Sequence, residues 1–221
     1  TNNPKYGSSV ISINTGQLMM DSVMSKDLFI HKNLLLSFMG MGEPMLNPYY
    51  VCQLYGYTND KYKEVFNDIR YSLATIIPLG TNLWTLILEA EKVKKYPKVH
   101  WSLHSTNEEL RKKIMPKASN IEESIRQLLL YKERTGSEVE IHYTIFDGND
   151  SKKDAKALAD IVKLTGFRLK FLRYRQSPTS SLKLSSIEHE FLGKVSDEGI
   201  MYEIYTPPGA DILGACGQFE V

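Results

Sequence analysis

The sequence predicts an α/β fold with parallel strands, and three observations support this. Short apolar runs alternate along the chain with amphipathic stretches of helical period. Each amphipathic stretch is about ten to fifteen residues long, which suits the crossover of a right-handed βαβ unit, so consecutive strands should pair in parallel. No internal repeat or low-complexity tract interrupts the alternation over 221 residues, a length that fits one large domain or two small ones.

Six apolar runs have the length and composition of strands. The first, NLLLSFM at residues 33–39, is nearly continuous and indicates a buried strand. The run at residues 138–145 alternates instead, with Val139, Ile141 and Tyr143 on one face. The periodicity fits an open sheet or most of a barrel and does not choose between them. The predicted strands are residues 33–39, 70–77, 98–103, 138–145, 167–174 and 201–205.

Three helices are predicted between these strands, at residues 85–96, 120–134 and 150–164. Apolar residues recur at helical spacing in each. Gly136 and Gly166 follow the second and third helices as C-terminal stops, because glycine accepts the left-handed conformation common there. Residues 177–186 contain one proline and five serines and are the best candidate for a mobile loop.

Composition and charge place the chain among ordinary cytoplasmic proteins. It has 27 basic and 26 acidic residues and a net charge of +1, which gives no global attraction to nucleic acid. RNA binding would therefore have to depend on local patches. No apolar run reaches the roughly 18 residues of a membrane span, and residues 1–7 are polar, unlike a signal peptide. We expect no membrane association.

The chain has two cysteines, Cys52 and Cys216. Two cannot make a disulfide framework in a chain of this size, and a four-iron cluster needs at least three thiolates. Cys52 lies in a helical pattern, and we interpret it as a core residue. Cys216 lies between Ala215 and Gly217, whose small size leaves its sulfur open to a reactant. From the residues alone, a structural role for Cys216 is favoured over a reactive one.

A glycine-rich segment, GMGEP at residues 40–44, directly follows the first predicted strand. Ligands of parallel α/β folds bind beyond the carboxyl ends of the strands, and glycine lets the backbone approach them closely. The carboxylate of Glu43 would suit an ammonium ligand at this place. The alternative is a tight turn with a solvated glutamate.

Residues 38–47, FMGMGEPMLN, resemble the FMGMGEPLLN segment of the RlmN/Cfr radical S-adenosylmethionine (SAM) methyltransferases, with one conservative change. The resemblance implies that Gly42 and Glu43 bind the amino group of the methionine portion of SAM. It extends more loosely from about Thr15 to Phe219, and the segments come in the same order and spacing.

Residues 101–116, WSLHSTNEELRKKIMP, resemble the SLHAPNDELRxxLMP segment of the same family. The resemblance implies that Ser102, Leu103 and His104 contact SAM. A hydroxyl and an imidazole at a strand end can both form hydrogen bonds with a nucleoside. The alternative is that His104 caps the next loop.

Residues 209–219, GADILGACGQF, resemble the C-terminal GxDIxAACGQL of the family. There the cysteine accepts a methyl group from SAM and passes it to an RNA base. The resemblance therefore implies that Cys216 is a catalytic methyl carrier.

Three features depart from the family pattern. The CxxxCxxC cluster motif should lie immediately before Thr1, so we expect a fragment without the first barrel strand, or else a natural chain that has lost the motif. Ser72 is the one residue of the second strand that aligns with a SAM-contacting serine. Arg175 stands where the family has an asparagine that contacts SAM, and a guanidinium cannot accept a hydrogen bond.

The resemblance implies an α/β fold, an incomplete radical-SAM-type (β/α) TIM-like barrel with parallel strands, in one domain over residues 1–221 truncated at its N-terminus. It implies a radical SAM RNA methyltransferase with SAM and a [4Fe-4S] cluster as cofactors of the intact protein. There a 5′-deoxyadenosyl radical takes hydrogen from the methylated cysteine. RNA, ribosomal or transfer, and an electron donor such as flavodoxin would be the partners.

We expect this chain by itself to be inactive, because its two cysteines cannot hold the cluster. Two other functions stay open. One is a radical SAM enzyme with a protein or small-molecule substrate, which the neutral net charge and Arg175 favour. The other is a non-catalytic binding protein that keeps the barrel and has no cluster.

Overall fold

Strands and helices alternate in the computed structural model, which describes residues 13–24, 33–39, 42–176 and 180–207. The strands are β1 (Asn33–Phe38), β2 (Asp68–Thr75), β3 (Lys98–Ser102), β4 (Val139–Ile145), β5 (Arg168–Arg173) and β6 (Glu203–Tyr205). The α-helices are α1 (Ile13–Met24), α2 (Pro48–Tyr62), α3 (Leu83–Val93), α4 (Glu108–Ile114), α5 (Ile121–Thr135), α6 (Lys152–Thr165) and α7 (Glu188–Asp197), and a short 3₁₀ helix spans Pro44–Leu46.

The six predicted strands are confirmed as β1 to β6, and the three predicted helices as α3, α5 and α6. The expectation that the first strand is buried is wrong: every second residue of β1 is exposed, and Leu35 is 60% exposed. Helices α1, α4 and α7 lie where we predict none. Helix α4 has seven residues, too few to show a helical period.

The chain forms two compact units. The first contains Thr1–Val99 and Gln127–Glu138, and the second contains His100–Arg126 and Val139–Val221. In the first unit β1 pairs in parallel with β2. In the second unit β5 pairs in parallel with both β4 and β6. The parallel pairing expected from the βαβ alternation is therefore confirmed within each unit.

Helix α2 covers one face of the β1–β2 pair in the first unit. The ring of Tyr55 contacts the rings of Phe38 and Tyr71, with centroid distances of 5.5 and 4.7 Å. Its hydroxyl donates a hydrogen bond of 2.8 Å to the carbonyl of Ser72, so this buried polar atom is satisfied. Cys52, on the same helix, is fully buried, which confirms it as a core residue.

A cluster of aromatic rings forms the core of the second unit. Phe191 of α7 lies 5.9 Å from both Tyr143 of β4 and Phe171 of β5, measured between ring centroids. All three side chains are at most 2% exposed. Burying each one contributes about 1.5–3 kcal/mol, so the cluster accounts for much of the attachment of α7 to the strands.

Helix α6 begins and ends with the residues that physical chemistry favours at those places. Ser151 and Asp154 form a reciprocal capping box at its start: the Asp154 N–H donates to Ser151 Oγ at 3.2 Å, and the Ser151 N–H donates to Asp154 Oδ2 at 3.2 Å. Gly166 ends the helix with φ of 60°, as predicted for a glycine stop. Within the described ranges, no helix has the length and apolar character needed to cross a membrane.

Replacing the capping serine should destabilise the second unit. We expect Ser151→Ala to lower the free energy of unfolding by about 1 kcal/mol, because the Asp154 N–H loses its acceptor. Ser186→Ala, in an exposed loop position, is the matched control and should change it by less than about 0.5 kcal/mol. Urea denaturation of both variants measures the difference, and equal effects would contradict the capping role.

Candidate functional site

Gly42 and Glu43 follow β1 and lead into the 3₁₀ helix. Gly42 is exposed and has φ of +97°, a conformation that costs glycine little, and a Cβ there would meet nothing within 4 Å. Glu43 caps the 3₁₀ helix, because its Oε1 accepts a hydrogen bond of 3.0 Å from the Met45 N–H. Gly40 and Met41, the first two residues of the predicted loop, lie outside the described residues.

The second carboxylate oxygen of Glu43 reaches the loop after β2. Its Oε2 accepts a hydrogen bond of 3.1 Å from the Ile76 N–H. The next residue, Ile77, has φ of 51°, a strained conformation for a β-branched side chain. Glu43 thus joins the segments that follow two adjacent parallel strands, and the strain at Ile77 lies beside this junction.

The electrostatic state of Glu43 is unusual for a glutamate at a loop. Burial raises the pKa of its carboxyl, although hydrogen bonds from Thr75, Met45 and Ile76 act in the opposite direction. All three donors are neutral, so they stabilise the anion less than a cation would. A carboxylate has about four acceptor sites, so Glu43 can still accept hydrogen bonds from a cationic ligand.

Ser72 lies in the middle of β2 and is 2% exposed. Its hydroxyl donates a hydrogen bond of 2.7 Å to the hydroxyl of Ser37, the residue opposite it in β1. Ser37 is exposed, so of this pair it presents the more accessible hydroxyl. Sequence reasoning missed Ser37, because the pairing register that brings the two serines together is not visible in either strand alone.

Ser102 and Leu103 lie at the end of β3 in the second unit. Ser102 is partly exposed, and its hydroxyl has no hydrogen-bond partner among the residues that the structure describes. Leu103 is fully buried; its N–H donates to the His142 carbonyl at 3.1 Å, and its own carbonyl accepts from Arg111 Nε at 3.2 Å. Ser102 therefore offers a ligand a polar group, whereas the side chain of Leu103 belongs to the core.

His104 is held in one orientation by two hydrogen bonds. Its Nδ1 accepts from the Thr144 N–H at 3.0 Å, and its carbonyl accepts from Asn149 Nδ2 at 2.7 Å. Its φ of 53° is unusual for a residue other than glycine. Helix α4, which follows, is capped by Asn107 and not by His104.

The tautomer and charge of His104 follow from these contacts. Because Nδ1 accepts a hydrogen bond, the ring proton lies on Nε2. Burial, together with electrostatic contributions from His142 and Arg111, lowers the pKa of the ring to about 3. His104 is therefore a neutral imidazole near pH 7 and offers one N–H donor.

Asn149 forms hydrogen bonds that connect His104 to the end of β4. This fully buried side chain donates from Nδ2 to the carbonyls of His104 and Thr144, both at 2.7 Å. Its Oδ1 accepts from the Phe146 N–H at 2.9 Å. Sequence reasoning assigned no function to Asn149. The signal available was an asparagine after glycine, a typical turn residue that bonds to nearby backbone.

A second group of polar side chains is buried on β3 and β4. His100 Nδ1 lies 2.9 Å from His142 Nε2 and 3.0 Å from Glu140 Oε1, and the last two atoms are 3.1 Å apart. Lys170 of β5 lies 3.1 Å from the same Glu140 oxygen and 3.1 Å from Glu203 Oε2. Burial lowers the pKa of His142, although Glu140 acts in the opposite direction.

Sequence reasoning missed this cluster for a physical reason. The alternation of Val139, Ile141 and Tyr143 places Glu140 and His142 on the other face of β4, which an alternating strand usually turns to solvent. The structure buries that face as well: Glu140 is 1% and His142 4% exposed. The available signal was the polar pair itself in a run that is otherwise apolar.

The two cysteines differ in what the structure says of them. Cys216, with the rest of residues 208–221, lies outside the described residues. Burial raises the pKa of Cys52 to about 12, so it stays a protonated thiol near pH 7.

Arg175 is partly buried, and its Nε has no hydrogen-bond partner among the described residues.

Comparison with known proteins finds relatives over most of this chain. The probable dual-specificity RNA methyltransferase RlmN of Cytophaga hutchinsonii is 32% identical over 188 residues, 83% of this chain and 50% of that protein. The protein of the same name from Thermotoga petrophila is 32% identical over 191 residues, 83% of this chain and 53% of that protein. The chain thus spans about half the length of the curated relatives it matches. No family model matches it.

A solved structure has the same fold. The radical SAM methyltransferase from Sphaerobacter thermophilus superposes with a TM-score of 0.71 over 93% of this chain and 58% of that one, at 23% identity. This likeness confirms the predicted fold class, an α/β fold of the incomplete radical-SAM-barrel type.

The environment of His104 predicts an unusual titration. Nitrogen NMR should show a single neutral Nε2–H tautomer from pH 8 down to about pH 5, whereas a model histidine titrates near 6.5. The unfolded chain then binds more protons than the folded one between about pH 6.5 and 3, so this residue should make stability fall as pH falls through that window. A midpoint near 6.5, or a proton on Nδ1, would contradict the arrangement.

Proposed function

The chain belongs to the radical SAM, RlmN-type family, and we propose that the intact protein is a SAM-dependent RNA methyltransferase. Relatives named as RNA methyltransferases and the fold of a radical SAM methyltransferase support the proposal. The family-like segments follow β1 and β3, where ligands of parallel α/β folds bind. RNA would be its substrate, an electron donor such as flavodoxin its partner, and the cytoplasm its location.

The observation that carries the proposal is the state of Glu43. Its carboxylate is desolvated, oriented by the N–H groups of Met45 and Ile76, and surrounded by neutral donors. An ammonium group would offset the cost of that desolvation, because a cation strengthens the hydrogen bond to a carboxylate. The α-ammonium of SAM is such a group. Gly42, with open space around it, lets a ligand approach the backbone beside Glu43.

The second unit supplies neutral hydrogen-bonding groups. We assign His104 Nε2–H and the hydroxyl of Ser102 to the nucleoside portion of SAM. The fixed ring of His104 loses little freedom when a ligand binds, which favours affinity. Leu103 would contribute shape to the wall of the site, and Ser72 would act through its hydrogen bond to Ser37.

The residues of this chain do not fit a four-iron cluster. Such a cluster needs at least three thiolates, and the chain has two cysteines. One of them, Cys52, is a buried, protonated thiol on α2. We therefore assign no step to a cluster within this chain.

We assign to Cys216 the role of methyl carrier. Its thiolate would form a sulfur–carbon bond to the methyl group as the sulfonium bond of SAM breaks and S-adenosylhomocysteine leaves. Covalent capture divides a difficult transfer into two easier steps. The family-like segment and the small neighbours Ala215 and Gly217 support this role.

A second candidate substrate class is a protein or a small molecule, and one observation favours it. Arg175 brings a guanidinium, with a buried Nε that has no partner among the described residues, to the position of a SAM-contacting asparagine in the family segment. A cation there could bind a carboxylate or phosphate of a different substrate. Methylation assays with RNA and with whole-cell protein distinguish the two.

The ammonium assignment can be tested on this chain with two ligands. We expect SAM to bind with a dissociation constant in the high-micromolar range or weaker, about −5 kcal/mol. Glu43→Gln should weaken SAM by about tenfold, because the ammonium loses a charged acceptor. Methylthioadenosine, which lacks the ammonium, should bind both proteins equally. Amide shifts of Met45 and Ile76 in NMR titrations report the binding.

Glu64→Gln, at an exposed position of the first unit, is the matched control and should leave SAM binding unchanged. Equal losses for SAM and methylthioadenosine in Glu43→Gln would refute the ammonium contact. Sub-micromolar binding of SAM to this chain would favour a binding protein that works without a cluster.

The methyl-carrier assignment is tested on the full-length protein isolated from cells. We expect the peptide that contains Cys216 to carry the extra mass of one CH₂ unit in mass spectrometry. Cys216→Ala should abolish methyl transfer to RNA, and Cys52→Ala should keep the modified peptide. If the protein is active and Cys216→Ala is harmless, the methyltransferase assignment fails, whereas membership of the radical SAM family does not depend on this cysteine.

A further inference from the structure

Three atoms that can bind a metal ion lie close together inside the second unit. They are His100 Nδ1, His142 Nε2 and Glu140 Oε1, and each pair of them is 2.9 to 3.1 Å apart. His100 comes from β3, and Glu140 and His142 are alternate residues of β4, so rigid strands position all three. Each residue is at most 7% exposed.

From this convergence we propose that His100, Glu140 and His142 bind a divalent transition-metal ion of the zinc class. Two imidazole nitrogens and one carboxylate oxygen form a ligand set that zinc prefers, with a fourth position left for water or another ligand. Nothing in this proposal depends on the assignment of SAM or RNA.

The distances between the three ligand atoms fit a bound metal ion after each increases slightly. Zinc bonds of about 2.0–2.2 Å in tetrahedral geometry place ligand atoms about 3.3 Å apart. The observed separations are a few tenths of an ångström shorter, within the reach of small side-chain rotations. Without an ion, one ring nitrogen can donate to the other across this 2.9 Å, so binding a metal would replace that hydrogen bond with two metal–nitrogen bonds.

Lys170 is the competitor for the same carboxylate. Its ammonium lies 3.1 Å from Glu140 Oε1 and balances the buried negative charge there. It also lies 3.1 Å from Glu203 Oε2, a partner it can keep when a metal takes the Glu140 oxygen. A bound divalent cation and the Lys170 ammonium repel each other, so removing the ammonium should favour the metal.

The position of the cluster indicates what the ion would do. His100 precedes Ser102 by two residues on β3, and His142 precedes Thr144 by two on β4. The Thr144 N–H in turn holds the ring of His104. A metal at the cluster would therefore fasten β3 to β4 directly below the strand ends that carry Ser102 and His104.

The test is a metal titration of the chain after removal of bound ions with a chelator. We expect calorimetry to show one Zn²⁺ per chain with a dissociation constant in the micromolar range or tighter. Co²⁺ should give the visible spectrum of a tetrahedral site with nitrogen and oxygen ligands and no thiolate charge-transfer band. The last point excludes Cys52 and Cys216 as ligands.

Four variants make the result specific. Glu140→Gln and His142→Gln should each weaken Zn²⁺ by about a hundredfold, because each removes one of three ligands. His189→Gln, on the exposed side of α7, should change nothing. Lys170→Met should tighten binding by about tenfold, an effect that a merely structural role of the lysine would not produce.

Circular dichroism establishes that each variant folds. If His142→Gln does not fold, the cobalt spectrum of the unchanged chain and the Lys170→Met titration still decide the question. Absence of stoichiometric binding, full binding in a folded His142→Gln, a thiolate band, or weaker binding in Lys170→Met would each overturn the proposal. The cluster would then be a hydrogen-bonded group around Glu140, with Lys170 as the ion-pair partner of that carboxylate.

Discussion

Most polar side chains that parallel strands carry into the interior find partners there, and this pairing shapes both units. An unpaired buried polar group costs about as much as several buried methyl groups contribute. In the first unit Ser72 pairs with Ser37, and Glu43 joins the loop after β2. In the second, Asn149 lies between the carbonyls of His104 and Thr144.

The chemistry of the candidate site follows from how completely each group is satisfied. Both carboxylate oxygens of Glu43 accept hydrogen bonds from neutral donors, and its pKa is raised, so a nearby cation would stabilise its ionised form. His104 has a satisfied Nδ1 and a lowered pKa, so it is a neutral donor through Nε2. Glu43 therefore offers an acceptor for a cation, and His104 offers a donor to a neutral ligand.

The His100–Glu140–His142 cluster is an unusual concentration of ionisable groups on two buried strands. Three buried ionisable side chains lie together there, and the ammonium of the partly exposed Lys170 lies beside them. Burying charge is expensive unless it is paired, and replacing such groups by apolar residues is often neutral or stabilising. A sequence that keeps them there carries a cost in stability that a function such as metal binding would explain.

The sequence by itself determined the strands, three of the helices and the parallel pairing, because those depend on local periodicity and on short crossovers. It also located Gly42, Glu43, Ser102 and His104 at strand ends, since their segments directly follow apolar runs. It could not show that Ser37 faces Ser72, that Asn149 holds His104, or that Glu140 and His142 are buried beside His100. Those contacts join residues 35 to 45 positions apart, or depend on the burial of a second strand face. The tertiary structure decided them, because register and burial arise from packing between elements and leave no period in the local sequence.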